Sequence, residues 1–233
     1  MAHRHPVVLA LLALATAALA TVAFARASAS AAAPPNVVFI LADDLGWRDV
    51  GFMGAEDIAT PHLDRLATEG MVFTQAYSAG PNCAPSRAAL LTGLYAPRTG
   101  VYTVGSSSRG RPEDRRLEPV PNTRVLAPEH ETIAEVLARA GYVSASICKW
   151  HQGTDPEAGP RAQGFDHNVA GAQAGHPRSY HSPYGMAELE DGPEGEHLTS
   201  RLTDEAIRWL EQQQVAEQPF FLYLPYYAVH TPL

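Results

Sequence analysis

The sequence predicts an α/β fold with a largely parallel central sheet flanked by helices. Three features carry that expectation: short apolar runs of strand length, amphipathic stretches of helical period between them, and polar clusters just past the ends of the runs. A continuous apolar run suits a strand covered on both faces, and alternation of strands with helices suits a parallel sheet. In such sheets ligands gather at the carboxyl ends of the strands.

Taken in order, Met1 to His5 is short and basic, Val7 to Ala25 is uncharged and rich in Ala and Leu, and small residues run on to Ala33. That order reads as a secretory signal peptide with a small-residue linker over residues 1–33, implying a secreted or periplasmic protein. The rival is an uncleaved anchor, which alone would bring the chain to a membrane. Residues 34–233 then form one unit. Asn36 to Ala42 reads as a strand buried on both faces, ending at Asp43-Asp44. Thr60-Pro61 reads as an N-cap followed by proline at the first helical position, with Leu63, Leu66 and Ala67 on one face and Gly70 closing the helix. Met71 to Tyr77 reads as a further strand. Pro85 to Leu91 reads as a helix ending at Thr92-Gly93, with Cys83 just before its first turn.

Residues 105–130 form a polar surface excursion. Thr132-Ile133-Ala134-Glu135 is a capping box opening a helix that Gly141 stops, and Tyr142 to Cys148 alternates as a strand would. Residues 151–197, rich in Gly, Pro and His, read as long loops. A helix over 199–213 presents Leu202, Ala206, Trp209 and Leu210 on one face, and Phe220 to Leu224 reads as the last strand.

The chain has 233 residues, 45% hydrophobic and 18% charged, which excludes a disordered chain. A net charge of -8 excludes a general nucleic-acid binder, which needs a basic face. It leaves room for a small anionic substrate in a locally cationic pocket.

Asp43-Asp44 either ends a strand in a turn or supplies two carboxylates to a hard divalent cation, which prefers oxygen ligands. Cys83-Ala84-Pro85-Ser86-Arg87 runs straight into Ala88-Ala89-Leu90-Leu91-Thr92-Gly93. A cysteine at a helix N-terminus is a stabilised thiolate or half of a disulfide, here with Cys148. Lys149-Trp150-His151 and His230 lie past two further strands. His167 has no motif around it, whereas His176 and His181 sit in a loop able to line a pocket. Arg109, Arg111, Arg115 and Arg116 could meet a polyanion, but Glu113 and Asp114 are interleaved and point to a solvated loop.

Together these segments resemble the sulfatase family, whose signature is Cys-x-Pro-Ser-Arg followed by Leu-Thr-Gly. Pro35 to Leu45, Ile58 to Gly70, Cys148 to His151 and Phe220 to Leu233 match further family segments in order. The resemblance implies an alkaline phosphatase-like fold, incomplete at the C-terminus, and hydrolysis of sulfate esters, with an aryl sulfate or a sulfated carbohydrate as substrate. It implies that a formylglycine-generating enzyme oxidises Cys83 to formylglycine. The hydrated aldehyde would attack sulfur with one hydroxyl and expel sulfate with the other. Asp43, Asp44 and converted Cys83 would bind calcium. Arg87 would stabilise the nucleophile, Lys149 would hold sulfate oxygens, His151 would take a proton, and His230 would help protonate the leaving oxygen.

Two departures stand out. Cys148 replaces the usual glycine before Lys-Trp-His, a position that calls for backbone freedom, and it offers Cys83 a pairing partner if conversion fails. The family's further metal ligands and a second lysine are expected beyond Leu233, so the chain alone is expected to be inactive. Two other readings stay open: a phosphoester hydrolase of the alkaline phosphatase-like group, and a non-catalytic truncated sulfatase-like protein that binds sulfated glycans.

Overall fold

A computed structural model describes residues 33–216 and 218–231. The signal-peptide reading of residues 1–33 falls almost entirely outside them. Among the described residues no helix is long and apolar enough to cross a membrane. The unit spanning Pro35–Leu233 is built on four strands, β1 Val37–Leu41, β2 Val143–Ile147, β3 His167–Val169 and β4 Phe220–Pro225. They lie in the order β1-β4-β2-β3, and every neighbouring pair is parallel.

The last strand in sequence thus sits inside the sheet, and its side chains split cleanly between faces. Phe221 and Tyr223 join Leu91, Ala134, Trp150 and Phe165 in one core cluster. Leu222 and Leu224 join Ala145, Ile147, Leu202 and Trp209 in another. The first face is covered by α2 Cys83–Thr92 and α4 Ile133–Arg139, which follow α1 Pro61–Glu69 and the short α3 Ala96–Thr99. The second face is covered by α5 Leu198–Gln213, whose Leu198, Leu202, Ala206 and Trp209 recur at helical spacing and are buried. Trp209 meets Phe220 edge-on, with ring centroids 5.7 Å apart.

Local signals explain most boundaries. Thr132 and Glu135 form both halves of the capping box at α4, and the Thr132 hydroxyl also donates to the Gln163 carbonyl at 2.7 Å. Gly93 closes α2 in the left-handed conformation, φ +69°, and donates to Ala89 O. α1 begins at Pro61, but Thr60 does not cap it. Its hydroxyl donates to Asp64 and accepts from Gly51 N–H, so it ties α1 to the preceding turn instead.

Four expectations need correction. β1 is not buried on both faces: Val37 and Phe39 pack into the core, whereas Val38 and Ile40 are 48% and 61% exposed. Met71 to Tyr77 forms no strand; Met71, Phe73 and Tyr77 are exposed, and among the described residues no strand pairs with the segment. β2 does not alternate between core and solvent: Ser144 and Ser146 are buried like Ala145 and Ile147, because strands flank it on both sides and helices cover it. The region 151–197 is mostly loop, but it holds β3, whose pairing with β2 a three-residue strand cannot announce in sequence.

Leu222 is fully buried between β4 and α5. Leu222→Ala is expected to destabilise the intact protein by about 2–5 kcal/mol, through lost burial and the cavity left behind. Urea denaturation midpoints check this.

Candidate active site

Because the strands are parallel, their carboxyl ends share one edge of the sheet. Asp43 follows β1, Lys149 follows β2 and His230 follows β4. The chain is laced together there by backbone hydrogen bonds. Tyr226 N donates to Leu41 O at 2.8 Å, Asp43 N to Ala228 O at 2.9 Å, Val229 N to Asp43 O at 2.8 Å and Lys149 N to Pro225 O at 2.9 Å. α2 then adds Cys83 and Arg87 from its first two turns.

These residues form two groups. The first is a buried ionic cluster. Asp43 accepts from Arg87 Nη2 at 3.1 Å through one carboxylate oxygen and from Lys149 Nζ through the other. Arg87 Nη1 also donates to Lys149 O at 2.8 Å. All three side chains are almost wholly buried. Two buried cations against one carboxylate leave local positive charge that only an anion or further solvation can offset. The Tyr223 hydroxyl is buried alongside the Arg87 guanidinium.

The second group lines an open cavity of about 530 Å³, with Asp44, Cys83, His151 and His230 among its walls. Asp44 and Cys83 also line a neighbouring cavity of about 690 Å³ that reaches Asp43 and Arg87. Cys83 therefore lines both the cavity walled by His151 and His230 and the one that reaches the ionic cluster. His230 Nε2 is 3.7 Å from Asp44 Oδ2. His151 is buried, and its pKa is pushed down to about 4, by burial first and then by the charges of Lys149 and Arg87. Its Nδ1 has no hydrogen-bond partner among the described residues. Gly175 packs directly on the imidazole: a Cβ there would come within 2.5 Å of His151 Cε1, so only glycine fits against the ring as placed.

Lys149 and His151 do not point the same way, as regular extension would require. Cys148 and His151 have φ of +104° and +62°, so the chain turns sharply and sends Lys149 inward to Asp43 and His151 to the cavity. Cys148 occupies a conformation that costs a side-chain-bearing residue energy. Both cysteines are free thiols, so the disulfide reading fails here. Cys148 is fully buried and its pKa is pushed up to about 12 by that burial.

His176 lines the cavity and stacks on His230, ring centroids 6.2 Å apart. His181 does not; it meets His197 edge-on at 5.2 Å. His167 lies on β3, away from the cavity lining. The arginine-rich loop is largely self-satisfied: Arg109 donates to Thr103 and Val104, Arg111 pairs with Asp114, and Arg115 donates to the carbonyls of Arg109 and Gly110. Sequence reasoning missed Asn82, Arg124, Gln173 and Gly175. Asn82 directly precedes the signature and could have been suspected; the other three carry no local signal.

The family described as Sulfatase matches residues 35–233. The chain belongs to the sulfatase family. It is 36% identical to N-acetylgalactosamine-6-sulfatase of Mus musculus over 228 residues, 88% of this chain and 42% of that protein. It is 39% identical to steryl-sulfatase of Mus musculus over 180 residues, 71% of this chain and 26% of that one. Among solved structures, Ps i-CgsB in complex with k-i-k-neocarrahexaose superposes with a TM-score of 0.67 at 33% identity, covering 85% of this chain and 46% of that one. The structure of BT4656 in complex with its substrate D-glucosamine-2-N,6-O-disulfate gives 0.61 at 29%, covering 84% and 35%. This sulfatase chain thus spans less than half the length of these relatives.

Asp43 and Asp44 offer a hard cation the oxygen donors it prefers. Their number falls short: among the described residues no group of three or more His, Cys, Asp and Glu is arranged to hold a metal. The donors fit such an ion in kind, as part of a larger set.

His151 is expected to titrate near pH 4 when its ring protons are followed by NMR, well below the ordinary 6.5. Gly175→Ala should raise that midpoint by pushing the ring from its buried seat. The sign of the linked stability follows: a histidine harder to protonate when folded gives full stabilisation above about pH 6.5 and loses it as pH falls toward 4. Separately, Cys148→Val should destabilise the intact protein by about 1–3 kcal/mol, since a β-branched residue is poorly tolerated at positive φ. Thermal denaturation checks it.

Proposed function

We propose that the protein of which this chain forms part hydrolyses sulfate esters, with the side chain of Cys83 converted to formylglycine. The observation that carries this reading is that Cys83 lines both a cavity walled by His151 and His230 and a neighbouring one that reaches Asp43 and Arg87, where Asp43 also binds Lys149. Converted Cys83 would supply paired hydroxyls, one to attack sulfur and one to release sulfate.

The remaining roles belong to the chain's own groups. Arg87 and Lys149 outnumber Asp43 in charge and hold positive potential behind the nucleophile, where a sulfate monoanion needs it. They are pre-placed, so little reorganisation accompanies bond making. His151 is uncharged at neutral pH and keeps a free ring nitrogen, as a proton acceptor must. His230 faces the cavity and is suited to deliver a proton to the leaving oxygen. Asp43 and Asp44 would hold calcium together with donors outside the described residues. When bound, that ion would supply positive charge that offsets the negative charge of the sulfate, so that a nucleophile can approach the sulfur.

The substrate class that fits is a sulfated carbohydrate, with aryl sulfates as synthetic surrogates. The N-acetylgalactosamine-6-sulfatase relative and the disulfated glucosamine bound to BT4656 support that choice. Residues 1–33 would direct export to a secreted or periplasmic location, with membrane attachment only if they are retained. A formylglycine-generating enzyme would be the partner that acts on Cys83; the acidic chain has no use for nucleic acid.

Mass spectrometry of the peptide containing position 83, from the intact protein co-produced with a formylglycine-generating enzyme, should show the aldehyde or its hydrate. Cys83→Ala should abolish turnover of para-nitrophenyl sulfate, and His151→Ala should lower kcat about 10²–10⁴-fold. Turnover of para-nitrophenyl phosphate with added zinc, and none of the sulfate ester, would replace this reading with a phosphoester hydrolase.

A further inference from the structure

The mechanism leaves one wall of the cavity unused. It is built from Asn82, Thr103, Arg124, Gln173 and His176. This wall is held firmly. Asn122 accepts from Tyr102 N and Thr103 N at 2.7 and 3.0 Å and donates to Thr103 O and Gly105 O at 2.9 and 2.7 Å. The strand of chain carrying Arg124 is pinned on both sides: Thr123 N donates to Gly100 O at 2.8 Å, and Leu126 N donates to Gln152 O at 2.9 Å. Gln173 Nε2 donates to Arg124 O itself at 3.1 Å. The backbone of Arg124 is thus as fixed as that of an element, although it belongs to a loop.

Among the described residues its guanidinium has no hydrogen-bond or ion-pair partner. Arg111, Arg139, Arg161 and Arg201 each pair with a carboxylate. Arg124 pairs with none among the described residues and lines the same cavity as Cys83. Two buried acceptors share that wall without a donor among the described residues, Asn82 Oδ1 and Gln173 Oε1. A lone cation beside two unfilled acceptors calls for a ligand presenting an anion and O–H or N–H donors together. A planar guanidinium suits a sulfate or a carboxylate, both of which accept its forked donors. Unfilled buried acceptors favour hydroxyl or amide groups over an aromatic ring.

We infer that Arg124 is a specificity residue, reading a second anionic group on a sulfated sugar whose scissile ester lies at Cys83, with Asn82 and Gln173 accepting from the sugar's hydroxyl or amide groups. The inference rests on the sulfatase reading and narrows its substrate to saccharides with at least two anionic groups. Arg124 touches no reacting atom; its contribution is to substrate affinity and choice.

The test uses the intact, converted protein and three saccharides: a monosulfated hexosamine, the same hexosamine carrying two sulfates, and a monosulfated disaccharide that includes a uronate. Wild type is expected to prefer one of the doubly charged substrates. Arg124→Gln should lower kcat/KM for that substrate about 10-fold more than for the monosulfated hexosamine, chiefly through KM. Arg124→Lys should recover part of the difference, and raised salt should shrink it. Loss with the disulfated sugar identifies sulfate as the second anion, and loss with the disaccharide identifies the uronate. Equal losses on all three substrates overturn the inference, as does hydrolysis of para-nitrophenyl sulfate with none of the saccharides. No turnover of para-nitrophenyl sulfate by wild type overturns the underlying sulfatase reading instead.

Discussion

The site depends on one carboxylate. Asp43 leaves the end of β1, enters the interior and binds Arg87 from α2 and Lys149 from the segment after β2. Three elements distant in sequence are thereby joined at the carboxyl edge of the sheet. Burying these charges is expensive, and Coulomb attraction with complete hydrogen bonding is what offsets it. The arrangement also sets two cations against one carboxylate, beside the cavity that Cys83 lines. An excess of buried cation suits a site that receives an anion, which is what the proposed reaction requires.

Backbone strain is placed at the same spot. Asp44, Cys148 and His151 all have positive φ, and none is glycine. At Cys148 and His151 the unusual angles separate Lys149 from His151, sending one into the cluster and the other to the cavity. A regular strand would have put both on one side and merged two functions. The contacts of Asp43 and the close seat offered by Gly175 hold this geometry against its local preference. Neutral His151 follows from that placement, since burial and two nearby cations both oppose its protonation.

Much of this was legible in the chain. The capping box at Thr132, the apolar stripe of α5 and the signature at Cys83 are local patterns, and each lies where its chemistry says. That the polar clusters after β1, β2 and β4 meet at one edge was readable because a parallel sheet gathers such ends. What was not legible depended on tertiary neighbours. Strand order put β4 inside the sheet, which no feature of Phe220 to Leu224 announces. Met71 to Tyr77 has strand-like composition but meets no partner strand, and β propensity without a partner is weak. Arg124 looked like any loop arginine, while the conspicuous arginines at 109, 111 and 115 turned out to satisfy their own loop. Gly175 matters only because His151, far away in sequence, needs the space.

The most direct test of the account is the stability of Asp43→Asn, measured by chemical denaturation of the intact protein in the presence of a chelator. Removing the charge strands two buried cations, so the substitution should cost about 3–5 kcal/mol even with no metal to lose. A cost within about 0.5 kcal/mol, the range of an ordinary surface change, would contradict the claim that Asp43 holds Arg87 and Lys149 in place.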